Sequence, residues 1–196
     1  MFEEGEDEGE DDGAVRLVLL GAPGVGKGTQ ADLLCRRHGW RHLATGDLLR
    51  SAVTEKTPLG QESREAMSRG DLVEDGVILA LIEEEMDRAG KSGVVLDGFP
   101  RTRAQAEGLD ARLERRGEIL GRVVLLTAPQ EEVVRRMAGR GRQDDSPETV
   151  LYRLAVYERS TKPLVDYYEL RGILRRVNGV GSIEDIHGRI ESAIAT

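Results

Sequence analysis

The sequence predicts an α/β fold in three layers, a five-stranded parallel sheet covered by helices on both faces. Short β-rich apolar runs alternate along the chain with segments of helical character, which is the pattern of βαβ units. The first of these runs breaks at once into a glycine-rich stretch that opens a helix, the setting of a phosphate-binding loop. The chain has 196 residues, 39% hydrophobic and 33% charged, enough for one domain with its own buried core.

An acidic head comes first. Residues 1–13 hold eight Asp and Glu and no base, and are expected to be a solvated, disordered extension. This head accounts for the formal charge of −8, because the rest of the chain carries 28 acids against 28 bases. A neutral body argues against a nucleic-acid binder that works by bulk charge. The first strand is expected over Val15–Leu20, apolar apart from Arg16, and a helix over Gln30–Arg37 that can turn Ala31, Leu33, Leu34 and Cys35 inward. A second short apolar piece, Leu43–Ala44, precedes Thr45-Gly46-Asp47, and helical stretches follow from Leu48–Ser51 onward, at Gly60–Ser68 and at Val77–Asp87. Further strands are expected at Gly93–Leu96, Arg122–Thr127 and Ile173–Val177.

Two helix starts carry their own signals. Ser146-Pro147-Glu148 puts a capping residue, a first-position proline and an acid in order. The helix it opens can run through Tyr157 to about Lys162, with Pro163 in its later course. Ser182 followed by Asp185 has the form of a capping box for a last helix.

Several classes are excluded by what the sequence lacks. The single cysteine, Cys35, cannot form an internal disulfide, and no Cys/His spacing suits a structural zinc. No apolar run approaches the ~18 residues of a membrane span. An acidic N-terminus is the opposite of a secretory signal or a basic transit peptide, so the expected setting is cytoplasmic, away from membranes.

The chemistry begins at Gly21-Ala22-Pro23-Gly24-Val25-Gly26-Lys27-Gly28-Thr29. Glycines let consecutive backbone N–H groups curl around an oxyanion, and the helix that follows adds the positive end of its dipole. Lys27 brings a mobile full charge for terminal phosphates. A tight turn with a surface lysine would not need four glycines in nine residues at a strand-to-helix junction. The hydroxyl residue that usually follows the lysine is replaced by Gly28, with Thr29 one place later. A metal would then lean on phosphates, waters, Thr29 or a distant carboxylate. Asp97, at the end of an apolar run, is the candidate, acting through water.

With these motifs in view, the chain resembles the adenylate kinases in their short-lid form, from about Val15 to the last helix. The resemblance rests on the ordered set GAPGVGKGTQ (Gly21–Gln30), TGDLLR (Thr45–Arg50), GDLV (Gly70–Val73), LDGFPRT (Leu96–Thr102) with Gln105, RMAGR (Arg136–Arg140), RQDD (Arg142–Asp145) and Arg153. It implies two nucleotide pockets and the reaction ATP + AMP ⇌ 2 ADP with Mg²⁺. By position, Gly24, Val25, Gly26, Lys27, Gly28 and Thr29 would hold the ATP phosphates, Arg136 would lie over its adenine, and the backbone near Gly181 would touch the adenine edge. The AMP pocket would use Thr45 and Gln105 for the base, the backbone at Asp71, Leu72 and Val73, and Gly98, Phe99 and Pro100. Arg50 and Arg101 would grip the AMP phosphate. Lys27, Arg101, Arg140, Arg142 and Arg153 would converge on the group in flight, with Arg142 and Arg153 also reaching AMP, and Asp144 and Asp145 would steady the lid.

The resemblance also divides the chain. Residues 14–196 would be the kinase domain, with a core of 14–43, 74–138 and 146–196, a nucleoside-monophosphate-binding insert at 44–73 and a short lid at 139–145. A monomer is expected, because each site is complete within one chain. Two rivals remain open here. A UMP/CMP kinase on the same scaffold tends to carry alanine at the position of Thr45, and a nucleotide-sensing module would close on ATP without turnover. A GTPase switch is disfavoured, because no Asn-Lys-x-Asp segment occurs.

Overall fold

The computed structural model describes residues 16–139 and 146–195. The five apolar runs form the strands β1 (Arg16–Leu20), β2 (Arg41–Ala44), β3 (Val94–Asp97), β4 (Arg122–Thr127) and β5 (Leu174–Asn178). They pair in parallel throughout, in the order β2-β3-β1-β4-β5. The helices are α1 (Lys27–His38), α2 (Thr45–Thr54), α3 (Pro58–Arg69), α4 (Asp75–Ala89), α5 (Arg103–Arg115), α6 (Gln130–Ala138), α7 (Pro147–Val156), α8 (Leu164–Glu169) and α9 (Ile183–Ile194). The α/β class and the five-stranded parallel sheet are as the sequence predicts.

Two-residue periodicity splits the strands between two cores. Val18, Leu20, Val94, Leu96, Val123 and Leu125 pack with Ile82 and Met86 of α4, Leu109 and Leu113 of α5, and Leu164 and Tyr168 of α8. The alternate residues Leu17, Leu19, Val95, Val124 and Leu126 pack with Leu34 of α1, Val133 and Met137 of α6, and Ile186 and Ile190 of α9. Continuous apolar runs are what a sheet buried on both faces requires. Arg16 is the exception and is fully buried. It donates to the Ser92 carbonyl at 3.1 Å and pairs with Glu118 at 2.9 Å, so its charge is answered at the sheet's end.

The topology decides where a ligand can sit. From central β1 the chain crosses to β2 and β3 on one side, and then returns to the other side at β4. In open parallel sheets the crevice at the carboxyl ends of the strands around such a reversal is the binding position. The loop after β1 and Asp97 at the end of β3 both lie there.

The boundaries differ from expectation in informative ways. Helix α1 begins at Lys27 rather than Gln30, so Lys27, Gly28 and Thr29 belong to its first turn, and α2 already starts at Thr45. The expected Gly93–Leu96 strand is shifted by one residue and includes Asp97. The single helix expected from Ser146 to Lys162 is broken. It ends at Val156 and passes into a π-helical turn, Tyr157–Thr161, just before Pro163. Proline lacks an N–H and crowds the carbonyl four residues back, so the ladder must widen before it. Arg135 and Arg136 lie in the last turn of α6. The acidic head lies outside the described residues.

Candidate active site

The loop between β1 and α1 folds over itself. The Val25 N–H donates to the Ala22 carbonyl at 3.2 Å, and the Lys27 ammonium donates to the carbonyls of Gly21 and Ala22 at 2.8 and 3.0 Å. Helices α3, α5, α7 and α9 are capped by the side chains of Thr57, Thr102, Ser146 and Ser182. Helix α1 has Gly26 at its N-cap with no side-chain cap and no acid in its first turn. Its first N–H groups and the positive end of its dipole are thus presented to the crevice, an arrangement that suits an anion.

Asp97 faces this turn from β3. A Cβ placed on Gly28 would stand 3.3 Å from Asp97 Oδ2. The glycine that replaces the usual hydroxyl residue therefore makes room for a carboxylate. Burial pushes the Asp97 pKa up, but His42, Lys27 and Arg101 outweigh it and hold the group below the usual carboxylate value. His42 approaches Asp97 at 3.6 Å through Nε2 and holds Asp32 at 2.8 Å through Nδ1. Burial disfavours the charged ring, yet Asp97 and Asp32 together raise its pKa.

At the other end of the same cleft three guanidinium groups converge. Arg101 donates from Nε to the Gly98 carbonyl at 2.6 Å. Burial lowers its pKa, Asp97 opposes that, and the neighbouring charges of Arg153 and Arg50 lower it further. Like charges gathered in a half-buried place are costly unless an anion joins them. Arg50 is also paired with Asp47, and the Arg153 stem packs where Gly70 closes α3. Gly98 adopts φ +74°, and a Cβ there would sit 2.8 Å from Arg101 Nη2 and 3.0 Å from Thr45 Oγ1, so only glycine lets the two meet. The Thr45 hydroxyl donates to the Gly98 carbonyl at 2.9 Å.

Gln105 is held at both ends of its amide. The carbonyl accepts from the Arg101 N–H at 2.7 Å, and the nitrogen donates to Asp75 at 2.8 Å. Thr161, in the π-helical turn, donates to the Arg101 carbonyl at 2.9 Å, which gives the break before Pro163 a place in the site.

One cleft collects most of the expected residues. Gly24, Gly26, Lys27, Gly28 and Thr29 line it together with Thr45, Arg50, Asp71, Leu72, Val73, Asp97, Gly98, Pro100, Arg101, Gln105 and Arg153. Val25 and Phe99 do not. Both are buried in the hydrophobic cores, beneath the residues they join. Arg136 lies beside the loop, donating to the Val25 carbonyl at 2.9 Å and to Glu132 at 2.6 Å. Gly181 lies between β5 and α9, against Asp185 and Arg189 of α9, and does not line this cleft. Arg140, Arg142, Asp144 and Asp145 lie outside the described residues.

Some site residues escaped the sequence reading. Asp75, which accepts from both Thr102 and Gln105, lies before the helix expected from Val77 and carries no motif of its own. His42 belongs to no motif, yet it stands two residues before Ala44 on β2 and so shares its face. Asp32 was missed because helical spacing alone makes it a solvent residue. Among the described residues no group of three or more His, Cys, Asp or Glu could hold a metal ion. None of their helices is long and apolar enough to cross a membrane.

The chain matches the family described as Adenylate kinase over residues 19–173. It is 50% identical over 182 residues to the adenylate kinase of Thermus thermophilus, a match covering 91% of this chain and 96% of the relative. It is 47% identical over 180 residues to that of a Synechococcus species, covering 92% and 98%. With the adenylate kinase of Xanthomonas campestris pv. campestris the identity is 48% over 185 residues, covering 92% and 99%.

Proposed function

The chain belongs to the adenylate kinase family, whose activity is the ATP:AMP phosphotransfer, and on that premise we propose how its residues divide the work. The loop Gly24–Thr29 binds the ATP phosphates, with Lys27 on the terminal ones, Arg136 over the donor adenine and the Gly181 peptide at its edge. Thr45 and Gln105 hold the acceptor adenine, with the backbone of Asp71–Val73 and Gly98. Arg50, Arg101 and Arg153 hold the acceptor phosphate and the group in flight, joined by Arg140 and Arg142. One observation carries this reading: the Arg50–Arg101–Arg153 convergence lines the same cleft as the Lys27 loop.

The chemistry asks little of a protein beyond this. The attacking AMP oxygen is already anionic, so no general base is required. The enzyme must align donor and acceptor and neutralise charge on the moving oxygens. Guanidinium groups suit that task because they stay ionised and bind phosphate through two donors. The Thr45 hydroxyl, spending its proton on Gly98, keeps lone pairs for the exocyclic amine of adenine. Gln105, fixed by Arg101 and Asp75, keeps one N–H and one lone pair for the ring.

Mg²⁺ fits the residues present. Asp97 is an ionised carboxylate facing the loop, and Thr29 adds a hydroxyl to the same cleft, an oxygen set of the kind a hard cation takes. Bound with ATP, the ion would offset charge on the β- and γ-phosphate oxygens. We assign residues 44–73 as the acceptor-binding insert and 139–145 as a short lid over the core of 14–43, 74–138 and 146–196. Closure of both would keep water from the γ-phosphate. The unit of activity is a monomer, since one chain lines both halves of the cleft.

The test is an acceptor panel. With MgATP as donor, AMP should give a higher kcat/KM than CMP, UMP or GMP, and Lys27→Met should abolish turnover. A preference for UMP or CMP, or equal rates for the wild type and Lys27→Met, contradicts the proposal.

A further inference from the structure

The segment joining β5 to α9 is pinned at almost every peptide. The Gly179 N–H donates to the Thr127 carbonyl at 2.7 Å, the Val180 N–H to Asn178 Oδ1 at 3.0 Å, and the Ser182 N–H to Asp185 at 3.3 Å. The carbonyl of Ile183 accepts from the buried Gln30 side chain at 3.0 Å. Two carbonyls are taken by a single atom. Nη1 of Arg189, reaching back from α9, donates to Asn178 at 2.8 Å and to Val180 at 2.7 Å. Gly181, at φ +129°, stands apart, because among the described residues no protein group bonds its N–H or its carbonyl. The Arg189 guanidinium lies against it, with Nη2 3.3 Å from where a Cβ on Gly181 would be.

We propose that Arg189 is a positioning residue for the donor nucleotide and a determinant of its base selectivity. This rests on the reading that the donor adenine lies against Gly181. By occupying the carbonyls of Asn178 and Val180, Arg189 removes two competing acceptors and fixes the chain on one side of Gly181. The Ser182–Asp185 capping box and Gln30 fix it on the other side. The N–H and the carbonyl of Gly181 are left for the base, the first on the peptide that Arg189 holds through the Val180 carbonyl and the second on the peptide that Asp185 holds through the Ser182 N–H. A 6-amino purine offers that carbonyl an N–H, whereas a 6-oxo purine sets oxygen against oxygen. A peptide held in place enforces this difference, and one free to turn accommodates either base. Arg189 therefore acts on which base is accepted as much as on how tightly it is held.

The experiment uses the full chain. In the unaltered protein, MgATP should shift the Gly181 amide resonance. Arg189→Met should raise KM for MgATP about tenfold, as the Gly181 groups lose their preset geometry and must be ordered on binding. It should leave KM for AMP within about twofold and raise the GTP-to-ATP ratio of kcat/KM several-fold, to about the extent a lost polar contact relaxes discrimination. Arg189→Lys, able to reach one carbonyl, should fall between the two, and it carries the same readout if the Met variant fails to fold. An unshifted Gly181 amide in the unaltered protein overturns the donor-site reading and this proposal with it. A shifted amide with an unchanged donor ratio, or with both KM values rising together, overturns the role of Arg189 alone.

Discussion

Tyr152 on α7 donates a hydrogen bond to Asp71 at 2.5 Å, so the residue just past the end of α3 is tied to the helix that carries Arg153. Arg69 donates to the other carboxylate oxygen at 2.9 Å. The backbone at Asp71 is part of the proposed acceptor pocket, and this bond fixes it against the body of the protein. Tyr152→Phe should raise KM for AMP by about three- to tenfold, the range for losing one ordinary hydrogen bond at an exposed site, and leave KM for ATP in place. The bonds from Tyr152 and Arg69 lower the Asp71 pKa. A depressed carboxylate contributes above its unfolded pKa and is lost only as pH falls through the folded one. The effect of Tyr152→Phe should therefore be constant from pH 6 to 8, as steady-state kinetics across that range would reveal.

Glu132 governs Arg136 in the same manner. Hydrogen bonds from Arg135 and Arg136 hold its pKa down to about 2. Its ionised form is therefore complete above the ordinary Glu range and lost only as pH falls toward that value. Glu132→Gln imitates the protonated state at neutral pH. It should raise KM for ATP about threefold, with AMP unaffected, a size typical of one weakened exposed ion pair.

Gly28 is open to a direct test. A methyl group there meets Asp97 at 3.3 Å, so Gly28→Ala must displace the carboxylate. The Mg²⁺ concentration at half-maximal rate should rise, while KM for AMP holds. An unchanged Mg²⁺ dependence would separate Asp97 from the metal.

Cys35 should be chemically quiet. Burial, with help from Asp32, pushes its pKa up to about 11. At pH 8 the thiolate is then about one part in a thousand, and thiolate is the reactive form. Maleimide labelling of the native protein should be slow and should accelerate sharply once guanidinium unfolds it.

Much of this molecule is legible in sequence because its signals are local. The strand runs, the phosphate loop and the caps at Ser146 and Ser182 each depend on neighbours a few residues apart. Helix α5 is hard to read in the sequence, because Gly108 and a run of charges mask its buried Ala106, Leu109 and Leu113. Its cap, Thr102 with Gln105, was the signal that could have found it. What the sequence could not reveal is long-range. Asp75 meets Gln105 across 30 positions, and His42 meets Asp97 only because β2 pairs with β3. Such contacts are set by the strand order, which no local pattern encodes.

The central claim is that the Lys27 loop and the Arg101 cluster serve two nucleotides end to end in one cleft. Calorimetry with two adenosines joined through five phosphates tests it most directly. One molecule should bind per chain, and both Lys27→Met and Arg101→Met should weaken it by at least about tenfold, the scale of a lost charged phosphate contact. Two molecules bound per chain, or an affinity that ignores either substitution, would contradict the account.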